Sequence, residues 1–462
     1  MNASALLQKC HAAASAPPPI PVYGRVTQVL GTVIKAVVPG VRIGELCRLI
    51  PPQTNAEMAA SAGKVQAASC MLSPGAETAL LAEVVGFQQD TVLLTALGEM
   101  KGLSPETEVL PLHQGLCVPV GEAMLGHVVD GFGRPLDGKP PAFWAKMPHV
   151  PLETPPPLPL ERRPVNVPLA LGIRALDTAL TCAEGQRLGI FAAAGVGKST
   201  LLAQIMRHTQ AEIVVLALIG ERGREVRAFV EEALGSAGLQ RAVVVVATSD
   251  RPAMERIKAA YTATAIAETF RDRGRKVLLL MDSITRFVRA KREVGLAAGE
   301  PPVRRGLPPS VFAELPRLLE RSGNGRRGSI TALYTVLTEG EAEEDPVAEE
   351  VKSLLDGHIV LSSALAEKGH YPAIDVLRSV SRCQNAVLPE ERRALVHRLR
   401  RLLAEYESVE LLVKLGEYKA GSNALADEAL AHIEAIEGFL RQAKGETSDA
   451  ESAWRELEAV LT

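Results

Sequence analysis

Twelve residues, FAAAGVGKSTLL at positions 191–202, constrain this chain more than any others. An apolar strand end breaks into a glycine-bearing loop and restarts as a helix. Gly195 and Gly197 allow the backbone N–H groups to converge on one point. Lys198 brings a positive charge there, and Ser199 can place a hydroxyl on Mg²⁺ at a helix N-terminus. The pattern is A-x-x-x-x-G-K-S, with Ala192 where the consensus has its first glycine. A plain strand-to-helix turn in an Ala/Gly-rich chain would carry the same letters, so the surrounding sequence has to decide.

The neighbouring runs favour the phosphate cradle. GQRLGIFAA reads as a strand into the loop and STLLAQIMRHT as the helix out of it. IVVLALIG, AVVVVATSD and VLLLMD are strands without polar alternation. REVRAFVEEAL and the stretch 253–275 are helices between them. Fully apolar strands alternating with helices mean a parallel sheet covered on both faces, with the loop at the carboxyl end of a strand, where such sheets bind ligands.

Upstream, GRVTQVLGTVIKAVV, IGELCRLI, LLAEVVGF and TVLLTAL are short β-rich runs separated by turn signals, which predicts a small N-terminal β-barrel. The Ala/Ser-rich stretch 51–75 reads as a surface loop. Residues 121–138, with five glycines, predict tight turns around a packed strand, and residues 148–168, with eight prolines, an extended strap. From Leu388 the chain turns helical and charged. Leu395, Leu399, Leu402 and Tyr406 form one apolar stripe, with Arg392, Arg393, Arg398, Arg400 and Arg401 mostly outside it on a face that reads as solvated. The expected division is a tail at 1–20, a barrel at 21–98, a nucleotide-binding domain at 99–384 and an α-helical domain at 385–462.

Length and composition exclude several classes. A chain of 462 residues is too long for one core. A net charge of -3 gives no global basic field for nucleic acid, and aromatics are only 4% of residues. The six cysteines, at 10, 47, 70, 117, 182 and 383, show no zinc or disulfide spacing and suit a reducing compartment. No secretory h-region and no apolar run near 18 residues is seen, so a cytosolic protein is expected, one that can dock on a membrane machine.

Hydrolysis of a nucleotide needs more than a cradle: the metal must be held, the water positioned and developing charge neutralised. Asp282 ends the buried strand VLLLMD, where a Walker B acid contacts Mg²⁺ directly or through the ligands around it, although an Asp capping the helix that follows would look the same. Glu221 and Arg222 follow another buried strand. Glu221 can orient or deprotonate a water, and Arg222 can contact phosphate or pair with carboxylates.

The strings ALIGERGREV, LLLMDSITRF, GEPPVRRGLPPSVFAELPRLLERSG, DGHIVLS and HYPAIDVLRSVSR together resemble the rotary-type hexameric ATPases, specifically those of bacterial type III secretion. LTCAEGQRLGIFA is closer to the injectisome branch than to the flagellar one. The resemblance implies a RecA-like central domain, ATP and Mg²⁺ as ligands, and a phosphate-binding stretch made of Gly195, Val196, Gly197, Lys198, Ser199 and Thr200. It further implies Ser199 and Asp282 as metal contacts, Glu221 as the catalytic carboxylate, Arg222 and Arg286 near the phosphates, Tyr371 stacked on adenine and Arg382 as a finger presented to the neighbouring subunit. Implied partners are further copies in a homohexamer, a central stalk, stator or regulator proteins, effector–chaperone complexes and an export gate at the cytoplasmic face of the inner membrane. Residues 299–307 are implied to lie by the ring's pore.

Rival readings are a flagellar export ATPase, a catalytic β-subunit of an ATP synthase, an RNA-tracking hexameric helicase and a non-enzymatic ring subunit. Against the helicase, the barrel region shows Tyr23 and Phe87 but no aromatic–basic alternation for stacking on bases; a non-enzymatic ring subunit should lack Lys198 or Glu221, and both are present.

Overall fold

The computed structural model describes residues 22–52, 80–138, 144, 146–338 and 345–462. Expectations about the tail at 1–20, about 51–75 beyond its first two prolines, and about most of the acidic run at 339–346 fall outside the described residues. The chain forms two compact units that part near Gly115.

The first unit is a closed barrel. Its strands are β1 (Gly24–Leu30), β2 (Val33–Val37), β3 (Leu46–Ile50), β4 (Leu80–Gln88), β5 (Thr91–Ala96) and β6 (Glu108–Pro111), ordered β1-β2-β5-β4-β3-β6. Ile34, Leu49, Leu94 and Val109 are fully buried inside it. β6 closes the barrel by pairing with both β1 and β3, so the barrel extends past the expected limit at 98. EVLP is too short to carry a periodic signal, and only pairing identifies it as a strand.

The second unit opens with β7 (Cys117–Pro119), β8 (His127–Asp130) and β9 (His149–Pro151). Its large sheet adds β10 (Arg187–Ala192), β11 (Ile213–Ile219), β12 (Ala242–Ala247), β13 (Lys276–Asp282), β14 (Gly323–Asn324), β15 (Ser329–Leu337), β16 (Gly357–Leu361) and β17 (Ile374–Ser381). The order is β17-β16-β10-β15-β13-β11-β12-β8, parallel except for β17 at one edge, with β14 antiparallel on β15. β8 is the packed strand expected among the glycines of 121–138, and it pairs with β12.

The helices that place the site are α1 (Arg174–Asp177), α2 (Lys198–His208), α3 (Ala253–Asp272), α4 (Ile284–Ala297), α5 (Glu390–Lys414), α6 (Ala424–Leu440) and α7 (Ala450–Leu461). Two local expectations are corrected. REVRAFVEEAL is not one α-helix: Gly223–Ala228 is α-helical and Phe229–Leu234 is a π-helix. The strap holds a 3-10 turn at Pro159–Glu161, which proline tolerates at a helix start. The expected α-helical C-terminal domain is present and packs into one core with the sheet, because the stripe on α5 faces β17. Leu399 and Leu402 are buried with Ile374 and Val376, and Leu395 and Tyr406 pack beside them.

Candidate active site

β10 runs straight into the loop 193–197, and α2 starts at Lys198. Gly197 caps α2 with φ +91°, and Gly195 has φ +85°, both in the left-handed region where a side chain is strained. The loop, Glu221, Arg222, Arg286 and Leu337 line a cavity of about 420 Å³.

The registers explain how distant residues meet here. β15 lies between β10 and β13, so the ends of all three strands open on the same edge. From β13, Asp282 pairs with the Lys198 ammonium, and both side chains are largely buried. From β15, the Thr335 hydroxyl donates to Asp282 Oδ1 at 2.7 Å. Asp282 thus accepts from two donors at a position largely closed to water.

Glu221 follows β11 in the same cavity. Burial raises its carboxyl above the ordinary range, the neighbouring Asp282 raises it further, and Lys198 and Arg286 oppose them. Arg286 sits in the first turn of α4, which Ser283 caps by accepting its backbone N–H at 3.3 Å. Its Nε is buried without a hydrogen-bond partner, an arrangement that suits an anion arriving in the cavity. A side chain at Gly220 (φ +69°) would lie 3.1 Å from Arg286 Cβ, so that glycine makes room for the arginine. Arg222 is 77% exposed and pairs with Glu225 at 3.5 Å, at the rim of the cavity rather than its floor.

Tyr371 lies across the loop. A Cβ on Gly197 would be 3.3 Å from the Tyr371 ring, which is 46% exposed. The ring borders a second cavity, of about 700 Å³, shared with Gly197, Thr200, Arg174, Gln442 and Lys444. An apolar face beside a phosphate loop can stack on a flat base.

Three family models match the chain. The ATP synthase alpha/beta family nucleotide-binding domain covers residues 172–381, its beta-barrel domain covers 26–113, and the T3SS EscN ATPase C-terminal domain covers 388–459. The type 3 secretion system ATPase of Xanthomonas euvesicatoria is 52% identical across 95% of this chain and 94% of its own length. The chain belongs to the type 3 secretion ATPases. The SPI-2 type 3 secretion system ATPase of Salmonella typhimurium is 49% identical over 95% of each chain, and the flagellum-specific ATP synthase of Bacillus subtilis 45% over 92% of each. Among solved structures, the assembled ATPase EscN of enteropathogenic E. coli superposes with a TM-score of 0.85 at 43% identity, covering 95% of this chain and 100% of that one. This chain is therefore an ATP-hydrolysing enzyme of type III export, and ATP is its nucleotide substrate.

Arg382 is the one expected site residue of this ATPase that stands apart. β16 runs parallel to β10, and β17 runs antiparallel to β16, with Ser381 opposite Gly357 at the start of β16. Arg382 is exposed there, and its N–H donates to Asp356 O, at the end of the sheet where β10 begins. At about 3.3 Å per residue it lies roughly 15 Å or more from the loop of its own chain. Sequence reasoning missed Thr335, Gly220 and the C-terminal side of the second cavity. The second threonine of SITALYTVL, two residues before the end of the strand, was the available signal for Thr335.

Proposed function

We propose that this ATPase works as a ring of identical chains, each active site closed by Arg382 of the next. Lys198 and the loop amides hold the β- and γ-phosphates, Arg286 and Arg222 add positive charge, and Tyr371 supports the adenine. Ser199 and Asp282 offer hard oxygen donors for Mg²⁺, and Asp282 already stabilises a cation in its pairing with Lys198. Bound Mg²⁺ would neutralise phosphate charge. Glu221 receives the proton of, or orients, the attacking water; its burial keeps it a stronger base than an exposed carboxylate.

The observation that carries this reading is the position of Arg382, exposed at the end of the sheet opposite its own phosphate loop. A guanidinium that cannot reach its own cavity can serve one on a neighbouring copy. Support for the assembly comes from EscN, whose structures include the assembled ATPase and its complex with the central stalk EscO, the latter with a TM-score of 0.82. By the same likeness the ring holds a central stalk, and we extend the reading to regulator proteins, effector–chaperone complexes and the inner face of the membrane as its further partners and place of work. Among the described residues no helix is long and apolar enough to cross one.

Complementation tests the shared site. Lys198→Ala and Arg382→Ala proteins should each be inactive, the finger contributing about 10³ to 10⁵ in rate in other NTPases. Mixed and co-assembled, they should recover part of the turnover, because some interfaces pair an intact loop with an intact finger. Co-assembly without recovery would remove the interfacial role of Arg382.

A further inference from the structure

We propose that Arg174 and Gln442 form a latch that positions the base pocket and joins it to the C-terminal helices. This inference rests on the reading of the second cavity as the seat of the nucleotide base. Arg174 lies in no phosphate-binding motif, yet among the described residues every side-chain polar contact it makes is with the C-terminal region. Its Nε donates to Phe439 O at 2.8 Å, and its other two nitrogens donate to Arg441 O and the Glu446 carboxylate. Glu456 on α7 stands 3.9 Å away, and the Phe439 ring lies 5.9 Å from the guanidinium. The planar fork thus spans the end of α6, the segment 441–446 and α7.

Gln442 completes the connection and is only 3% exposed. Its Oε1 accepts the backbone N–H of Arg174 at 2.9 Å. Its Nε2 donates to Gly172 O at 2.9 Å and to Glu446 O at 3.0 Å. Its own backbone N–H donates to Tyr371 O at 2.9 Å. The next carbonyl, Ala443 O, accepts from Gln204 Nε2 at 3.0 Å, on the helix that leaves the phosphate loop. Segment 441–446 is therefore tied to α1, to Tyr371 and to α2 at once, and it forms one wall of the 700 Å³ cavity through Gln442, Ala443 and Lys444. Neither Arg174 nor Gln442 is needed on the phosphates. Both are placed to set the distance between that wall and the tyrosine ring, and any shift of α6 or α7 must either carry the wall along or break the latch.

The consequence is a selective loss. Without the fork, the wall can still form but no longer in one position, so binding of the base weakens while phosphate chemistry continues. The full-length Arg174→Ala enzyme should show a KM for ATP raised about tenfold, because only the placement of the base is lost, with kcat changed less than about twofold. Arg174→Lys should fall between the two, because an ammonium reaches one acceptor but cannot fork. Gln442→Leu, equal in size and without donors, should reproduce the KM effect. In the wild type, ADP should slow hydrogen exchange of amides in α6 and α7. In the Arg174 variants that protection should vanish while protection in α2 persists.

Unchanged KM with retained protection of α6 and α7 would overturn the latch. So would equal losses in kcat and kcat/KM accompanied by loss of protection in α2, which marks general damage. If Arg174→Ala does not fold, Arg174→Lys and Gln442→Leu carry the same test. A wild-type enzyme that hydrolyses ATP while ADP protects α2 but not α6 or α7 would also refute the latch. A wild-type enzyme that neither binds nor hydrolyses ATP would instead overturn the nucleotide reading.

Discussion

A single buried acid sets the electrostatics at the residue scale. Asp282 holds Lys198 and Thr335, and its charge helps raise the carboxyl of Glu221. A raised carboxyl keeps its proton to a higher pH, and protonated Glu221 cannot accept one from water. The kcat of the enzyme should therefore fall on acidification from a pH above that of an ordinary carboxylate, and Glu221→Gln should lack this limb along with most activity; a pH–rate profile under saturating ATP measures both. Thr335→Val keeps the shape and removes one donor to Asp282. Equilibrium denaturation should show it less stable by about 1 kcal/mol, the net value of a hydrogen bond, with a larger loss if the acid is left poorly satisfied.

Elements contribute by aiming these residues rather than by touching substrate. β10 and β11 are apolar throughout their buried lengths, as is β13 up to Asp282 at its end, so their order in the sheet fixes where Lys198, Asp282 and Glu221 emerge. α5 does the same for the other side of the site, since Leu399 and Leu402 seat it against β17. Leu399 is fully buried, and Leu399→Ala should cost about 2–5 kcal/mol from lost contact and the remaining cavity. Its unfolding should begin in α5–α7, detectable as early hydrogen exchange there before β10–β13 exchange. The apolar stripe of α5 and the strands of the sheet were plain in the sequence because their periods are local. The π-helix at Phe229–Leu234 was not, since its letters fit an amphipathic α-helix and only the hydrogen-bond pattern separates the two.

For the whole molecule, the proposed ring makes catalysis a property of an assembly, because Arg382 stands apart from its own loop. The rate per chain should rise with protein concentration in step with particle mass, measured together by steady-state assay and mass photometry. A rate per chain that stays constant while single chains dominate would place every essential group within one protomer. The barrel unit, ending near Gly115, and the larger unit beyond it each bury a core of their own.

Local sequence pattern was enough to place the glycine loop after its strand, the parallel sheet around it, the barrel and the helical end. Glycines at strained turns, unbroken apolar strands and a helical stripe are written over neighbouring residues. It also offered Glu221 and Asp282, because strand ends can be read where strands can. Tyr371 and Arg382 were reachable only through likeness to a family. The placement of Thr335 beside Asp282, of the Tyr371 ring on Gly197, of Arg382 at the far end of the sheet and of Arg174 on residues 439–446 was decided by tertiary structure alone. These are matters of strand register and of contacts between residues up to hundreds of positions apart, and no local pattern encodes them.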